Sequence, residues 1–275
     1  MADIVLVGEL GINHNGDINI AKKLMDVSSL AGLDYIKFQK RDIDSVYTQE
    51  FLDSPRESPW GTTQRDQKNG IELKEKDYTE ISSYIKQKEI KGWFGSPWDI
   101  NSVKFLSNFD CPYIKIASSS ITDFELLEAI KATNIPVIIS TGMSTKKEVD
   151  ACIKYLQDQI EYILACKSTY PTKNKDMNMN FIKTLKHTYI GYKIGFSNHS
   201  AGIQFCMIAA ALGAEMIEFH ITLDRSMYGS DQSASIETQG LLKIASHVKA
   251  IKEGMGSGDW IITPGEEIIR EKLRK

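Results

Sequence analysis

Two lysines stand where a lysine is costly. Lys37 lies in "YIKFQ" (residues 35–39) and Lys115 in "YIKIAS" (113–118), each between apolar neighbours. A lysine inside such a strand stays charged only beside an anion, or its pKa falls and it can serve as a Schiff-base amine. Two histidines occupy similar places: His199 closes "IGFSNH" (194–199) and His220 lies in "EMIEFHI" (215–221). A buried imidazole has two ring nitrogens to satisfy, so two of them at the ends of apolar runs suggest a shared ligand. Imidazole suits a divalent transition metal, and the carboxylates of Glu218 and Asp231 could complete a mixed nitrogen and oxygen shell. Two histidines under-ligate an ion, leaving water and substrate to fill an open site of the kind Lewis-acid catalysis requires. Further polar residues end the other apolar runs: Glu9, Gln39, Ser96, Ser118, Ser140, Ser168 with Tyr170, and Ser197. Taken singly, each has a plain structural reading, because strand lysines snorkel, core histidines hydrogen-bond, and strand-end serines cap helices. Taken together, lysines, hydroxyls and imidazoles suit an anionic, phosphorylated ligand beside a metal ion.

Something must bring these residues together. Short β-rich runs at 3–9, 35–39, 92–97, 113–118, 136–141, 162–168, 194–199 and 215–221 alternate with segments whose apolar residues recur at three- and four-residue spacing. Asp123 and Thr145 read as helix N-caps, and Gly32 and Gly213 as C-terminal stops. Strand and helix repeated eight times predict an α/β fold, a single-domain (β/α)8 TIM barrel over residues 1–255. Residues 256–275 read as a tail resembling the start of a linker. An open doubly wound sheet would have fewer strands and a glycine-rich first turn, which "GELGINHNG" does not supply. In a barrel, polar strand ends meet at the C-terminal mouth, where such enzymes do their chemistry. Residues 40–73 predict a long connection after the second strand, a candidate lid carrying Tyr47, Pro59 and Trp60.

Composition excludes other classes. A formal charge of -3 and a pI near 6.0 give no basic field for nucleic acid. No apolar run approaches a membrane span, and the first strand lacks the basic lead-in of a signal peptide. Cys111, Cys152, Cys166 and Cys206 lack metal-type spacing, which predicts reduced thiols and a cytoplasmic protein.

The motifs "GELGINHNGD", "YIKFQ", "SPWD", "YIKIAS", "IISTGM", "GFSNHS" and "IEFHITLD", in this order, resemble the sialic acid synthase family. That family includes the N-acetylneuraminate synthases and their legionaminic and pseudaminic acid relatives. The resemblance runs from residue 8 to about 231. It implies metal ligation by His199 and His220, to Mn2+ with Mg2+ or Co2+ as alternatives. It implies phosphoenolpyruvate contacts from Lys37, Ser96, Lys115, Ser118, Ser140, Ser168 and Ser197, with Gln39 close by. Glu9 matches an acid/base glutamate, and Tyr170 and Asp231 match contacts to an amino-sugar acceptor. The reaction implied joins phosphoenolpyruvate to the open-chain aldehyde of an N-acyl amino sugar, releasing phosphate. A homodimer is implied as well.

Two departures accompany the match. Ser120 stands where the family often has an acidic residue. The family usually continues into a small antifreeze-like domain that lends an arginine to the partner's site, whereas this sequence passes into "GSGDWIITPGEEIIREKLRK". The expectation is a separately encoded antifreeze-like domain, or a stand-in from Arg56, Arg65 or Arg225. Alternatives to the implied reaction are a phosphoenolpyruvate-dependent synthase whose acceptor is phosphorylated, needing an added basic site, a Schiff-base aldolase acting through Lys37 or Lys115, and a non-catalytic barrel that binds anionic sugar.

Overall fold

A computed structural model describes residues 3–274. Eight parallel strands close into a barrel in the order β1-β10-β9-β8-β7-β6-β5-β2. They are β1 (Val5–Gly11), β2 (Tyr35–Lys40), β5 (Gly92–Pro97), β6 (Ile114–Ile116), β7 (Val137–Ser140), β8 (Ile160–Cys166), β9 (Lys193–Asn198) and β10 (Met216–His220). Each coincides with one of the eight predicted runs. Helices between strands cover the outside, and their ends follow local chemistry. The Asp123 and Thr145 side chains accept from the backbone N–H of Leu126 and Glu148. Gly32 ends its helix at a φ of 76°, in the left-handed region that glycine enters without penalty. The four cysteines are free and buried, and among the described residues no helix is long and apolar enough to cross a membrane.

The barrel floor is aromatic. Tyr35, Phe94 and Tyr113 lie two residues before Lys37, Ser96 and Lys115, so strand alternation turns each aromatic to the same side as its polar successor. Their rings meet edge to face at 5.6–6.1 Å between centroids, and Tyr162 joins at 6.1 Å from Tyr113. This layer plugs the barrel beneath the polar strand ends.

The long connection is more structured than its sequence predicts. It builds helices Ile43–Val46, Gln49–Asp53 and Gln64–Ile71, with a hairpin of β3 (Pro55–Ser58) and β4 (Gly61–Thr63). The Trp60 ring packs edge-on against Tyr228, beyond the end of β10, with centroids 5.4 Å apart. Gly70 approaches Gly16, beyond the end of β1, so closely that a Cβ on Gly16 would lie 2.0 Å from the Gly70 carbonyl oxygen. The barrel proper ends with helix Thr238–Gly254, and helix Pro264–Leu273 follows with every residue exposed.

Gly16→Ala should therefore loosen the docking of helix Gln64–Ile71, since the position also has a φ of 68°. The expected loss is about 1–3 kcal/mol, read by chemical denaturation, with faster proteolysis inside residues 41–73. An unchanged midpoint and cleavage pattern would show that the anchor lies elsewhere.

Candidate active site

Parallel register gathers residues that are far apart in sequence. Glu9 pairs across β1 with both Lys37 and His220, Gln39 lies opposite Ser96, and Glu218 lies opposite Ser197. Their side chains line a cavity of about 190 Å³ at the strand C-terminal ends. Among the predicted charged residues, Glu9, Lys37, Lys115, His199 and His220 all face it. So do Gln39, Ser96, Ser118, Ser140, Ser168, Tyr170 and Ser197. Asp231 stands just outside, its Oδ2 3.7 Å from His220 Nδ1. His14 is buried elsewhere against Phe38, and His187 and His247 lie exposed on helices.

The lysines find their anions inside the protein. Lys37 Nζ lies 2.8 Å from Glu9 Oε2 and 2.9 Å from Glu218 Oε2. Lys115 Nζ donates to Ser140 Oγ at 2.6 Å and lies 3.8 Å from Glu218 Oε1. Burial alone would lower the Lys37 pKa, but Glu218 and Glu9 outweigh it and raise it. Burial also lowers Lys115, which is repelled by Lys37 and less closely compensated by Glu218. For Glu9, burial is overcome by His220, Lys37 and Gln39, which hold its carboxyl far below the usual carboxylate range. Ser197 donates to Glu218 at 2.9 Å and Gln39 to Glu9 at 2.8 Å, completing the network. The Ser168 Oγ is fully buried with no hydrogen-bond partner.

His199 and His220 are side by side, with ring centroids 5.5 Å apart. His199 Nδ1 donates to the Lys167 carbonyl at 2.6 Å, so the Nε2 lone pair is directed to the Tyr170 hydroxyl at 3.1 Å. His220 Nε2 lies 3.2 Å from Glu9 Oε2, and its buried Nδ1 has no hydrogen-bond partner. Among the described residues no three His, Cys, Asp or Glu side chains converge as a metal shell. Two imidazoles with an orphaned nitrogen and Asp231 beside it fit a divalent ion as an incomplete set, one that water and substrate would finish.

Other residues have places that the sequence reading did not give them. Glu218, considered only as a metal ligand, is the shared counterion of both lysines. Cys166 lines the cavity, 3.7 Å from His199 Nδ1 and from Ser118 Oγ. Burial would raise its thiol, but His199 outweighs burial, with help from Lys115, and brings it to about 7. Trp98 and Met143 contribute apolar wall. Within one chain none of the suggested stand-in arginines reaches this cavity: among the described residues nothing from 41–73 lines it, nor does Arg225. Arg65 pairs with Asp44 and Asp53, Arg56 reaches Gln64, and Arg225 donates to the Ser235 and Ala201 carbonyls. The arginine in contact with the wall is Arg41, stacked 4.4 Å over Trp98 and hydrogen-bonded to Gln39.

Comparison with known proteins agrees with this arrangement. The model of the NeuB family matches residues 24–260. The chain belongs to the NeuB family. It is 34% identical over 276 residues to the N-acetylneuraminate-9-phosphate synthase of Mus musculus, covering 98% of this chain and 76% of that protein. It is 31% identical over 287 residues to the N,N'-diacetyllegionaminic acid synthase of Campylobacter jejuni, covering 99% of this chain and 85% of that one. The crystal structure of the N-acetylneuraminic acid synthetase of Leptospira borgpetersenii, in complex with citrate, superposes with a TM-score of 0.84 at 28% identity, covering 99% and 93% of the two chains. This NeuB-family barrel is thus similar over nearly its whole length to nonulosonic acid synthases.

Stability of the NeuB-family site should depend unequally on its lysines. Lys37→Met leaves Glu9 and Glu218 without their closest cation and should cost about 3–5 kcal/mol. Lys115→Met should cost less, because Glu218 keeps Lys37. Adding Glu218→Gln to Lys37→Met should recover part of the loss; denaturation midpoints showing no recovery would rule out the ion-pair account. The pH window follows from the shifts. Glu9, lowered from an ordinary 4.5, stabilises above that value, and the contribution is lost as pH falls toward its folded pKa. Lys37, raised from 10.5, stabilises below that value, and the contribution is lost as pH rises through its folded pKa. The contribution of the Glu9–Lys37 pair should therefore be full between these two ordinary values.

Proposed function

We propose that this chain condenses phosphoenolpyruvate with the open-chain aldehyde of an N-acyl amino sugar, of the N-acetylmannosamine type, giving a nonulosonic acid and phosphate. The observation that carries this reading is one cavity holding two buried lysines, a ring of serine hydroxyls and two adjacent imidazoles. The serines and Lys115 suit a small ligand bearing both carboxylate and phosphate. The unpartnered Ser168 hydroxyl is a donor with nothing yet to bind, which supports an oxyanion arriving there.

In the reaction, carbon 3 of the enol attacks the aldehyde, water adds at carbon 2, and phosphate departs by C–O cleavage. Glu9 matches the family's acid/base glutamate and suits orienting the water that adds; the His220, Lys37 and Gln39 contacts that keep it ionised also weaken it as a base. Tyr170, half-exposed at the rim, and Asp231 suit contacts to the acceptor. His199 and His220 would hold a divalent ion, Mn2+ with Mg2+ or Co2+ as alternatives, which supplies Lewis acidity toward the aldehyde oxygen. Lys37, engaged by two carboxylates and raised in pKa, is poorly suited to Schiff-base chemistry. A homodimeric partner or an antifreeze-like domain accords with this reading, since none of Arg56, Arg65 and Arg225 lines the cavity.

Incubation with phosphoenolpyruvate, N-acetylmannosamine and Mn2+ should release phosphate together with a nine-carbon keto acid detectable by mass spectrometry. Chelation, His199→Gln or His220→Gln should stop turnover. Lys115→Met should weaken phosphoenolpyruvate binding by about 2–4 kcal/mol. Unchanged affinity in that variant would refute its assignment. Failure of every N-acyl aldose to consume phosphoenolpyruvate would refute the reaction.

A further inference from the structure

Arg41 is buried behind the cavity wall and lines none of it. Its Nη1 donates to Glu72 Oε1 at 3.1 Å and its Nη2 donates to Gln39 Oε1. The centre of the guanidinium lies 4.4 Å from the Trp98 ring centroid. Gln39 and Trp98 both belong to the wall. Gln39 passes the contact on, because its Nε2 donates to Glu9 Oε1 at 2.8 Å.

Holding Glu72 does not explain this arginine. Lys40 Nζ lies 3.2 Å from Glu72 Oε2, so that carboxylate has a cation without Arg41. The two cations share one carboxylate, and Arg41 Nε is buried with no hydrogen-bond partner. A guanidinium held in this way is costly to bury, and an apolar residue would pack there more cheaply. What the guanidinium supplies is direction. The two ends of a carboxamide are alike in shape, so either fits against Glu9. Arginine carries donors and no acceptor, and therefore takes only the oxygen end of the amide. The nitrogen end is thereby turned to the Glu9 carboxylate. The reverse orientation would set two acceptor oxygens against each other. Glu9 Oε2 is engaged by Lys37 at 2.8 Å and lies 3.2 Å from His220 Nε2, so the Gln39 N–H fixes the other oxygen and with it the plane of the carboxylate.

We propose that Arg41 is a positioning residue for the reaction: it locks the Gln39 amide in one orientation and through it aims the Glu9 carboxylate at the water that adds. The proposal rests on the condensation reading above.

The test is a double-variant cycle with a spectroscopic readout beside it. Arg41→Met removes the donors, and Glu72 keeps Lys40. It should lower kcat about 10- to 100-fold while KM for phosphoenolpyruvate changes by less than about 3-fold, as for a misaimed group that leaves binding intact. Gln39→Met should lower kcat by a similar factor, and the double variant should lose no more than the larger single loss, because both changes remove the same orientation. Arg41→Lys, which donates and cannot accept, should recover most of the rate. Losses that multiply, or a kcat kept in Arg41→Met, overturn the proposal. Nitrogen-15 labelling of glutamine side chains gives the second readout. The Gln39 amide resonance, identified by its disappearance in Gln39→Met, should move in Arg41→Met and keep its place in Arg41→Lys. A resonance unmoved in Arg41→Met overturns the lock whatever the rates. Should thermal midpoints show that Arg41→Met folds poorly, Arg41→Gln replaces it, since that side chain accepts as well as donates and imposes no orientation. If no N-acyl aldose gives product, the condensation reading fails, and the amide resonance still decides the lock.

Discussion

Four buried charges organise the mouth of this barrel. Lys37 and Lys115 carry two positive charges and Glu9 and Glu218 two negative ones, so the cluster is neutral as a whole. Taking any one of these groups out of water alone would cost several kcal/mol. Together they are tolerated, each positive group facing a negative one. Neighbouring groups take their orientation from this core: Gln39 and His220 from Glu9, Ser197 from Glu218, Ser140 from Lys115. Compensation is uneven, however. Lys37 is held on two sides, whereas Lys115 has a hydroxyl at close range and its carboxylate at 3.8 Å. The cation with charge to spare therefore lies on the side lined by the β7 and β8 hydroxyls.

A second division of labour runs along the barrel axis. Lys37, Ser96 and Lys115 each stand two positions after an aromatic ring of the floor, so on these three strands one segment supplies both the chemistry and its support. The rings contribute apolar area and edge-to-face contacts. They also keep water from reaching the ion pairs from below, which preserves the low dielectric that makes those pairs and the hydroxyl contacts strong.

Much of this was legible in the sequence because barrels write their architecture locally. Short β-rich apolar runs alternating with helical ones mark all eight strands, and a lysine within such a run is conspicuous. Pairing across the register is not local. Nothing near Lys37 announces that its partner is Glu218, 181 residues away, because β10 closes against β1 only in three dimensions. Cys166 ends an apolar run and reads as a small hydrophobe until His199 is placed beside it. The connection after β2 was legible as long but not as structured. Helices of four and five residues carry too little periodicity to detect, and the hairpin is held by single contacts such as Trp60 on Tyr228. The arginines were picked by residue type, and type does not say where a side chain points.

The aromatic floor also governs traffic. A barrel plugged below has one door, so whatever occupies the deepest position, against Lys115 and the serine hydroxyls, has to enter before anything settles near His220 and Asp231. Departure runs in reverse, since a molecule at the rim blocks the one beneath it. Sequence of entry in such a site is imposed by the depth of each contact, and two ligands of similar affinity would still be obliged to queue.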